Sequence, residues 1–390
     1  MRNQLIRKSR RSRRGVILPL TACLLVFLVM LVAFAIDIGY IQVAKVQLQQ
    51  SADAAAMAAA AELIDDEALS GAGGLTDEIV SARTRAVQYA ALNKVCQSAP
   101  AVDLNSGNDS SGEIVVGYLS NPSNPASTMN FTDPNSFNAV QVLVQRTTAR
   151  NGEIGLFFAR VFGSNTQGVQ ASATAAILRN ISGFNAPSDG STIGMLPFAL
   201  DLETWNDMLA GGGTDSWNWN PTTKQITSGN DSIREVNLYP QGTGSPGNRG
   251  TVDIGGANNS TADIARQIVY GVSPADLAQM PGGHVALGAD GTLDLTGDTG
   301  ISAGVKDELA SIKGQPRVIP IFSQVNGNGN NAEYTIVAFV GVRILDVKLT
   351  GSMSSKRVIV QPAIVQMQGA IAGTGTQTSF NVYSPVWLVQ

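Results

Sequence analysis

Histidine, cysteine and aromatic residues are scarce in this chain. Its 390 residues include one histidine, His284, two cysteines, Cys23 and Cys96, and only 6% aromatic residues. A lone histidine without a cysteine cluster excludes the usual histidine- and thiolate-based metal sites. Cys23 lies in a long apolar run and Cys96 beyond it, so a disulfide between them would have to thread a membrane. We therefore expect no metal, no cofactor and no catalytic residue.

Positive charge is also scarce outside the N-terminus. Of the 26 Lys and Arg residues, 19 remain after residue 14, against 30 Asp and Glu, which is a formal net charge of −11. Binding to nucleic acid by electrostatics needs a basic surface, so the composition argues against such a partner. The other seven basic residues precede the apolar run with no acid among them, namely Arg2, Arg7, Lys8, Arg10, Arg11, Arg13 and Arg14.

One long hydrophobic run is present, and it predicts a membrane anchor. Residues 16–36 carry no charge, and 14 of these 21 positions are Leu, Ile, Val or Phe. As a helix they would extend roughly 31 Å, which matches a bilayer core. The basic flank predicts a cytoplasmic N-terminus, with everything after Asp37 on the far side of the inner (cytoplasmic) membrane.

A cleaved signal peptide is an alternative to a retained anchor. Residues 33–35 fit the small-x-small pattern of a signal-peptide cleavage site, but the apolar run is longer than a signal-peptide core and continues at Ile38 and Ile41.

The segment after the run predicts a continuous helix to about residue 63 with a stripe of small residues. Ile38, Ile41, Lys45, Leu48 and then alanines follow the spacing of one helix face. Such a stripe either packs on the protein's own external domain or admits a partner helix, and the sequence leaves both open. Asp37 either caps the exit of the span or pairs with a neighbouring subunit. The expected anchor and interaction residues are Asp37, Gly39, Lys45, Leu48, Gln49, Ala52, Asp53, Ala55 and Ala56.

This region resembles the TadG-like N-terminal region of Flp (Tad) pilus-assembly proteins. The resemblance rests on a Gly-led hydrophobic helix, an acidic residue and glycine at its exit (Asp37, Gly39), and the run Lys45-Val-Gln-Leu-Gln-Gln-Ser-Ala-Asp-Ala-Ala-Ala. The resemblance covers residues 14 to 180, because the segments 82–93 and 157–175 also resemble the family. The resemblance implies a single-pass membrane protein that acts by contact in pilus assembly. Some relatives carry a von Willebrand A domain, but residues 189–193 lack the second serine of its metal motif. A processed minor pilin is an alternative that the resemblance also suggests. Minor pilins of the same systems are cut after a glycine and need a glutamate five residues beyond it, but the fifth residue after Gly15 is Leu20, which argues against that processing.

The rest of the chain predicts an α+β fold that is rich in strands. Short apolar runs separated by Gly, Asn and Pro clusters indicate strands near 114–119, 139–147, 169–178, 233–238, 318–322, 334–349 and 358–368. Helices are expected at 76–95, with Thr76 or Asp77 as the cap, and at 154–162, 202–209, 261–270 and 305–312. The predicted layout is a basic cytoplasmic tail (1–15), a transmembrane helix (16–36), a helix-led α+β region (37–180), a linker (181–191) and a β-rich external domain (192–390).

Three patterns keep a tethered ligand-binding or hydrolytic domain as an alternative. Ser302 lies in a Gly-x-Ser-x-Gly string, but His284 precedes it, whereas the nucleophile-elbow fold needs a later histidine. Asp290, Asp294 and Asp298 suggest a calcium loop without the EF-hand spacing. Trp205, Trp217 and Trp219 suggest either a carbohydrate platform or core packing.

Together these observations favour a noncatalytic component of a Flp pilus assembly or secretion apparatus. Its expected partners are the lipid bilayer, other pilus-assembly or envelope proteins and a second copy of the chain.

Overall fold

The computed structural model describes residues 17–64, 69, 74–122, 124, 126–239, 249–255, 260–327, 329–373 and 375–389. The basic tail predicted at 1–15 and its role in orientation lie outside these residues. The six α-helices among them are α1 Ile17–Ala61, α2 Thr76–Leu92, α3 Leu202–Leu209, α4 Thr261–Tyr270, α5 Pro274–Leu277 and α6 Lys306–Ser311. The α+β class and the strand-rich second half are confirmed.

The strands are β1 Ile114–Gly117, β2 Ala139–Arg146, β3 Ile154–Gly155, β4 Thr166–Gln167, β5 Val169–Ala176, β6 Ile181–Asn185, β7 Phe198–Asp201, β8 Trp217–Asn220, β9 Gln225–Ser228, β10 Val236–Asn237, β11 Gly250–Val252, β12 His284–Ala286, β13 Leu293–Asp298, β14 Pro316–Asn326, β15 Ala332–Lys348, β16 Arg357–Pro362, β17 Val365–Gln366, β18 Ala370–Ala372, β19 Ser379–Phe380, β20 Val382–Tyr383 and β21 Trp387–Val389.

Helix α1 is one unbroken helix of 45 residues with two different environments. Its N-terminal part is apolar on all sides, and none of its most hydrophobic window is buried in the protein. It is the only helix in the described part of the chain that is long and apolar enough to cross a membrane. Beyond Asp37 one face becomes buried, because the helix there packs on the rest of the protein.

The membrane-proximal core forms where α1 packs on α2 and on a four-stranded sheet. The sheet has the order β1-β2-β5-β21, and all its pairings are antiparallel. Alanines of α1 and α2 meet Val140, Val142 and Val144 of β2 in one continuous cluster. Small side chains on both helices allow the backbones to approach closely, which favours this packing.

A second sheet of eight strands dominates the rest of the chain. Strand β15 pairs with β13 and β14 on its two sides, and β13, β11, β7 and β14 are paired in series. These five strands therefore close on themselves as a ring, with β7–β14 as the parallel pair. One side of the sheet packs against α3, α4 and α6 around the fully buried Trp205, and the other side packs around Phe184, Tyr334 and Phe339.

Strand β21 joins the two parts of the chain. It pairs with β5 in the membrane-proximal sheet, with Trp387 opposite Ala176. Close by, the Leu178 N–H donates to Ser384 Oγ at 2.7 Å, and the Ser384 N–H donates to the Leu178 carbonyl at 3.1 Å. The C-terminal strand is thus part of the sheet on which α1 packs.

Three local predictions were wrong. Residues 154–162 form strand β3 and a 3₁₀ turn, Ala159–Phe162, because Ile154 pairs with Gln167 and long-range hydrogen bonds hold the backbone after it. Residues 181–185, predicted within a linker, form β6, whose Phe184 is buried between sheets. Helix α2 begins after Leu75 without a side-chain cap, although Thr76 or Asp77 was expected to cap it.

Candidate functional site

The candidate site is the part of α1 that follows the membrane span, together with the elements that contact it. Asp37 is buried there with only 3% of its surface exposed. Its Oδ1 accepts the Phe157 N–H at 2.7 Å, and its Oδ2 accepts the N–H groups of Phe158 at 3.0 Å and Ala159 at 2.7 Å. Three donors on one carboxylate satisfy a charge that would be costly to bury unpaired. Asp37 therefore fixes residues 157–159 at the end of the span.

The alanine stripe packs within the protein. Leu48, Ala52, Ala55 and Ala56 are all fully buried in the cluster with α2 and the four-stranded sheet. Ser51 supports the same contact, because its Oγ donates to the Ala90 carbonyl of α2 at 3.1 Å. The self-packing interpretation of the stripe is thus the one that the structure supports, and this face is occupied.

Four other predicted residues lie away from the centre of that core. Gly39 and Lys45 are exposed, and Ala44 rather than Lys45 occupies the buried face. Gln49 is exposed, and its Nε2 donates to Asp53 Oδ1 at 2.7 Å and to the Ser172 carbonyl of β5 at 3.1 Å. Gln49 and Asp53 therefore form the rim of the contact between α1 and β5.

The opposite side of α1 is an exposed surface that the sequence pattern did not single out. At 100° per residue, Gly39, Val43, Val46 and Met57 fall on one face, turned about 180° from Leu48 and Ala55. Val43 is 51% exposed, Val46 56% and Met57 40%. A side chain at Gly39 would meet nothing within 4 Å. We refer to these four residues as the outer face of α1.

Helix α2 is held in place by a buried cation that sequence reasoning missed. Arg83 is 5% exposed, and its guanidinium donates to the carbonyls of Leu104 at 2.8 Å and Ile114 at 3.0 Å and to Asn108 Oδ1 at 2.7 Å. Burial lowers the pKa of this guanidinium. The sequence signal that could have indicated this role is a single arginine, Arg83, on the apolar face of a predicted helix.

The proposed hydrolytic residues do not come together. Ser302 Oγ accepts the Gly304 N–H at 3.1 Å, which caps a short turn, and His284 begins strand β12. Among the residues that the structure describes, His284 and Ser302 share no hydrogen bond. Two of the three aspartates have contacts within the fold, since Asp290 accepts the Thr292 N–H and Asp294 accepts the Thr335 hydroxyl.

Two of the three tryptophans, Trp205 and Trp219, have contacts within the fold, and Trp217 is half-buried on β8. Trp205 is fully buried against Phe380, and Trp219 on β8 lies under the Arg343 guanidinium, which is 4.3 Å from the ring centroid. Burial lowers the pKa of Arg343 to about 10, and Asp231 partly opposes that change. An occupied ring face is not available to a sugar, which favours the packing interpretation of Trp219.

A cleft of about 610 Å³ lies between the four-stranded sheet and the C-terminal strands. Its principal polar side chains, Arg179 and Asn180, already bind backbone. Arg179 donates to the carbonyls of Asn135 and Phe137, and Asn180 donates to the Thr376 carbonyl and accepts the Thr378 N–H. The Asn180 contacts join segments 196 and 198 residues apart in sequence, and the Arg179 contacts join segments 44 and 42 residues apart, so the cleft is a structural joint.

Two protein-family models match the membrane-proximal part of the chain. Residues 15–62 match the family model described as Flp pilus-assembly TadE/G-like, and residues 58–175 match the model described as Tad-like Flp pilus-assembly. No curated protein and no solved structure matches the chain. The two matches confirm the resemblance to TadG-like proteins and indicate involvement in Flp pilus assembly. The matched region ends at residue 175, one residue before the end of strand β5.

Proposed function

We propose that this chain, whose residues 15–175 carry the two Flp pilus-assembly regions, is a noncatalytic membrane-anchored component that acts in assembly through protein contacts made by the outer face of α1. In this proposal α1 crosses the inner membrane with its N-terminus in the cytoplasm, and everything after Asp37 is extracytoplasmic.

The exposed outer face is the observation that carries the proposal. The buried stripe of α1 is already filled by α2 and the four-stranded sheet, so a partner has to use another side of the helix. The outer face offers a glycine and two valines in the first turns beyond the span, where another envelope protein can pack in parallel. Val43 and Val46 are exposed apolar side chains about one turn apart on a charged ectodomain, and an exposed apolar patch of this kind is typical of an interaction surface.

Site-specific photocrosslinking in cells tests the contact. A benzoylphenylalanine at Val46 is expected to form an adduct with another pilus-assembly protein. The same group at Tyr270, which is 70% exposed on α4, serves as the control and should not form that adduct. Equal adducts at both positions, or none at Val46, would contradict the proposal.

A complementation assay tests the function. Val46→Arg keeps the buried face intact, so the protein should accumulate normally yet fail to restore pili in a deletion strain. His284→Ala combined with Ser302→Ala should restore pili fully, because neither residue has a role in the proposal. A requirement for either residue would favour the hydrolytic alternative instead.

A further inference from the structure

We propose that residues 157–162 form a second membrane contact, in which their apolar side chains enter the leaflet that surrounds the end of the α1 span. The occupant of this surface is the lipid bilayer. The proposal rests on α1 crossing a membrane and is independent of any role in pilus assembly.

Contacts with α1 fix the height of these residues relative to the membrane. Asp37, the first charged residue after the uncharged run, accepts the three consecutive N–H groups of residues 157–159. The ring of Phe157 packs edge-on against Tyr40 with the centroids 5.2 Å apart. The turn Ala159–Phe162 itself contacts α1. The segment therefore lies at the boundary between the span and the external domain.

One residue within the span indicates that the protein extends toward the lipid at this point. Ala33 lies one turn before Asp37 on the same face, about 6 Å deeper along the helix axis. It is half-buried, whereas the other described residues before Asp37 are exposed.

The side chains of this segment are large, apolar and exposed. Phe157 is 59% exposed, Phe158 42%, Val161 82% and Phe162 68%. Four such side chains within six residues form a contiguous patch, whereas a single exposed apolar residue needs no explanation. Phe side chains on the apolar face of an interfacial segment enter the boundary between the head groups and the acyl chains.

The remaining residues of the segment also suit a lipid surface. Arg160 is exposed, so its guanidinium is available to lipid phosphate while its stem lies along the acyl boundary. Gly163, with φ of 88°, ends the turn, and its N–H donates back to the carbonyls of Ala159 and Arg160. The chain then continues into β4, which pairs with β3, so the segment is the loop of the β3–β4 hairpin and contacts α1.

Fluorescence of the full-length protein in vesicles tests the proposal. Cys23 and Cys96 are changed to alanine, and an environment-sensitive nitrobenzoxadiazole label is attached at Val161→Cys or, as the matched control, at Tyr270→Cys. The vesicles contain phosphatidylcholine and phosphatidylglycerol, and the protein is reconstituted at decreasing amounts down to one molecule per vesicle. We expect a blue-shifted spectrum at residue 161 and at least about twofold stronger quenching by 5-doxyl lipid than at residue 270.

A photoreactive benzoylphenylalanine at Phe162 provides a second measurement in an otherwise unaltered chain. We expect adducts with phospholipid, identified by mass spectrometry. A label at residue 161 that iodide quenches as strongly as the label at residue 270 would overturn the proposal. A signal that disappears on dilution to one protein per vesicle would assign the surface to a second copy and would also overturn it.

Discussion

Replacing Ala56 by leucine should disrupt the packing of α1 on the external domain. Ala56 is fully buried in the cluster shared with α2 and the four-stranded sheet. Leucine adds three carbon atoms at a site without free volume, and overpacking of this kind costs about 1 to 3 kcal/mol. With two helices and a sheet around the site, we expect about 2 to 3 kcal/mol.

Amide hydrogen exchange of the full-length protein measures this effect. A loss of about 2 to 3 kcal/mol should accelerate exchange in α2 and β5 by about 30- to 150-fold, if local opening controls it. Ala61→Leu adds the same atoms at an exposed position of α1 and should leave exchange unchanged. If Ala56→Leu exchanged like the wild type but abolished partner binding, the stripe would be a partner surface and the packing argument would be wrong.

Three further changes test other features of the structure. Arg83→Met removes three hydrogen bonds from a buried cation and should cost about 2 to 4 kcal/mol in denaturant unfolding, and a loss below about 0.5 kcal/mol would contradict the assigned contacts. Asp37→Asn removes the charge that holds residues 157–159, so their amides should exchange about tenfold faster or more, while unchanged exchange would show that the carboxylate is dispensable. Burial raises the pKa of Asp253 to about 6, with Asp263 and Asp276 adding to the effect. Because this pKa lies above the unfolded value of about 3.9, protonation favours the folded state, and that stability is lost as the pH rises from about 4 to 6. Asp253→Asn should therefore be more stable than the wild type at pH 7 by about 1 to 2 kcal/mol, allowing for partial solvent exposure, and the difference should vanish near pH 4; equal stability at both pH values would contradict it.

Local signals in the sequence were sufficient for several elements. The predicted helices 202–209 and 261–270 match α3 and α4, because each has a strong cap followed by an amphipathic pattern. Asp201 accepts the Thr204 N–H at 2.8 Å, and Ser260 accepts the Asp263 N–H at 3.2 Å. The long apolar run was equally clear, since the 21 consecutive uncharged residues 16–36 need no tertiary context to be recognised.

Features that depend on distant contacts were not predictable. The sequence predicts a helix at 154–162, but the carboxylate of Asp37, 120 residues before Phe157, accepts the N–H groups of residues 157–159 and holds another conformation. The ring closure through β7 and β14 is likewise set by pairing between segments more than 100 residues apart. The partner of the alanine stripe stayed open for the same reason, because a small-residue face is compatible with any closely packed helix or sheet.

The pairing of Trp387 with Ala176 has a consequence for how this architecture can vary. Residues 177–386 leave the membrane-proximal sheet and return to it at neighbouring points, so they form an insertion with adjacent ends. Domain insertions are tolerated best where the two ends lie close together. We therefore expect that a short hairpin turn between β5 and β21 can replace residues 177–386 and leave the four-stranded sheet beside the membrane intact.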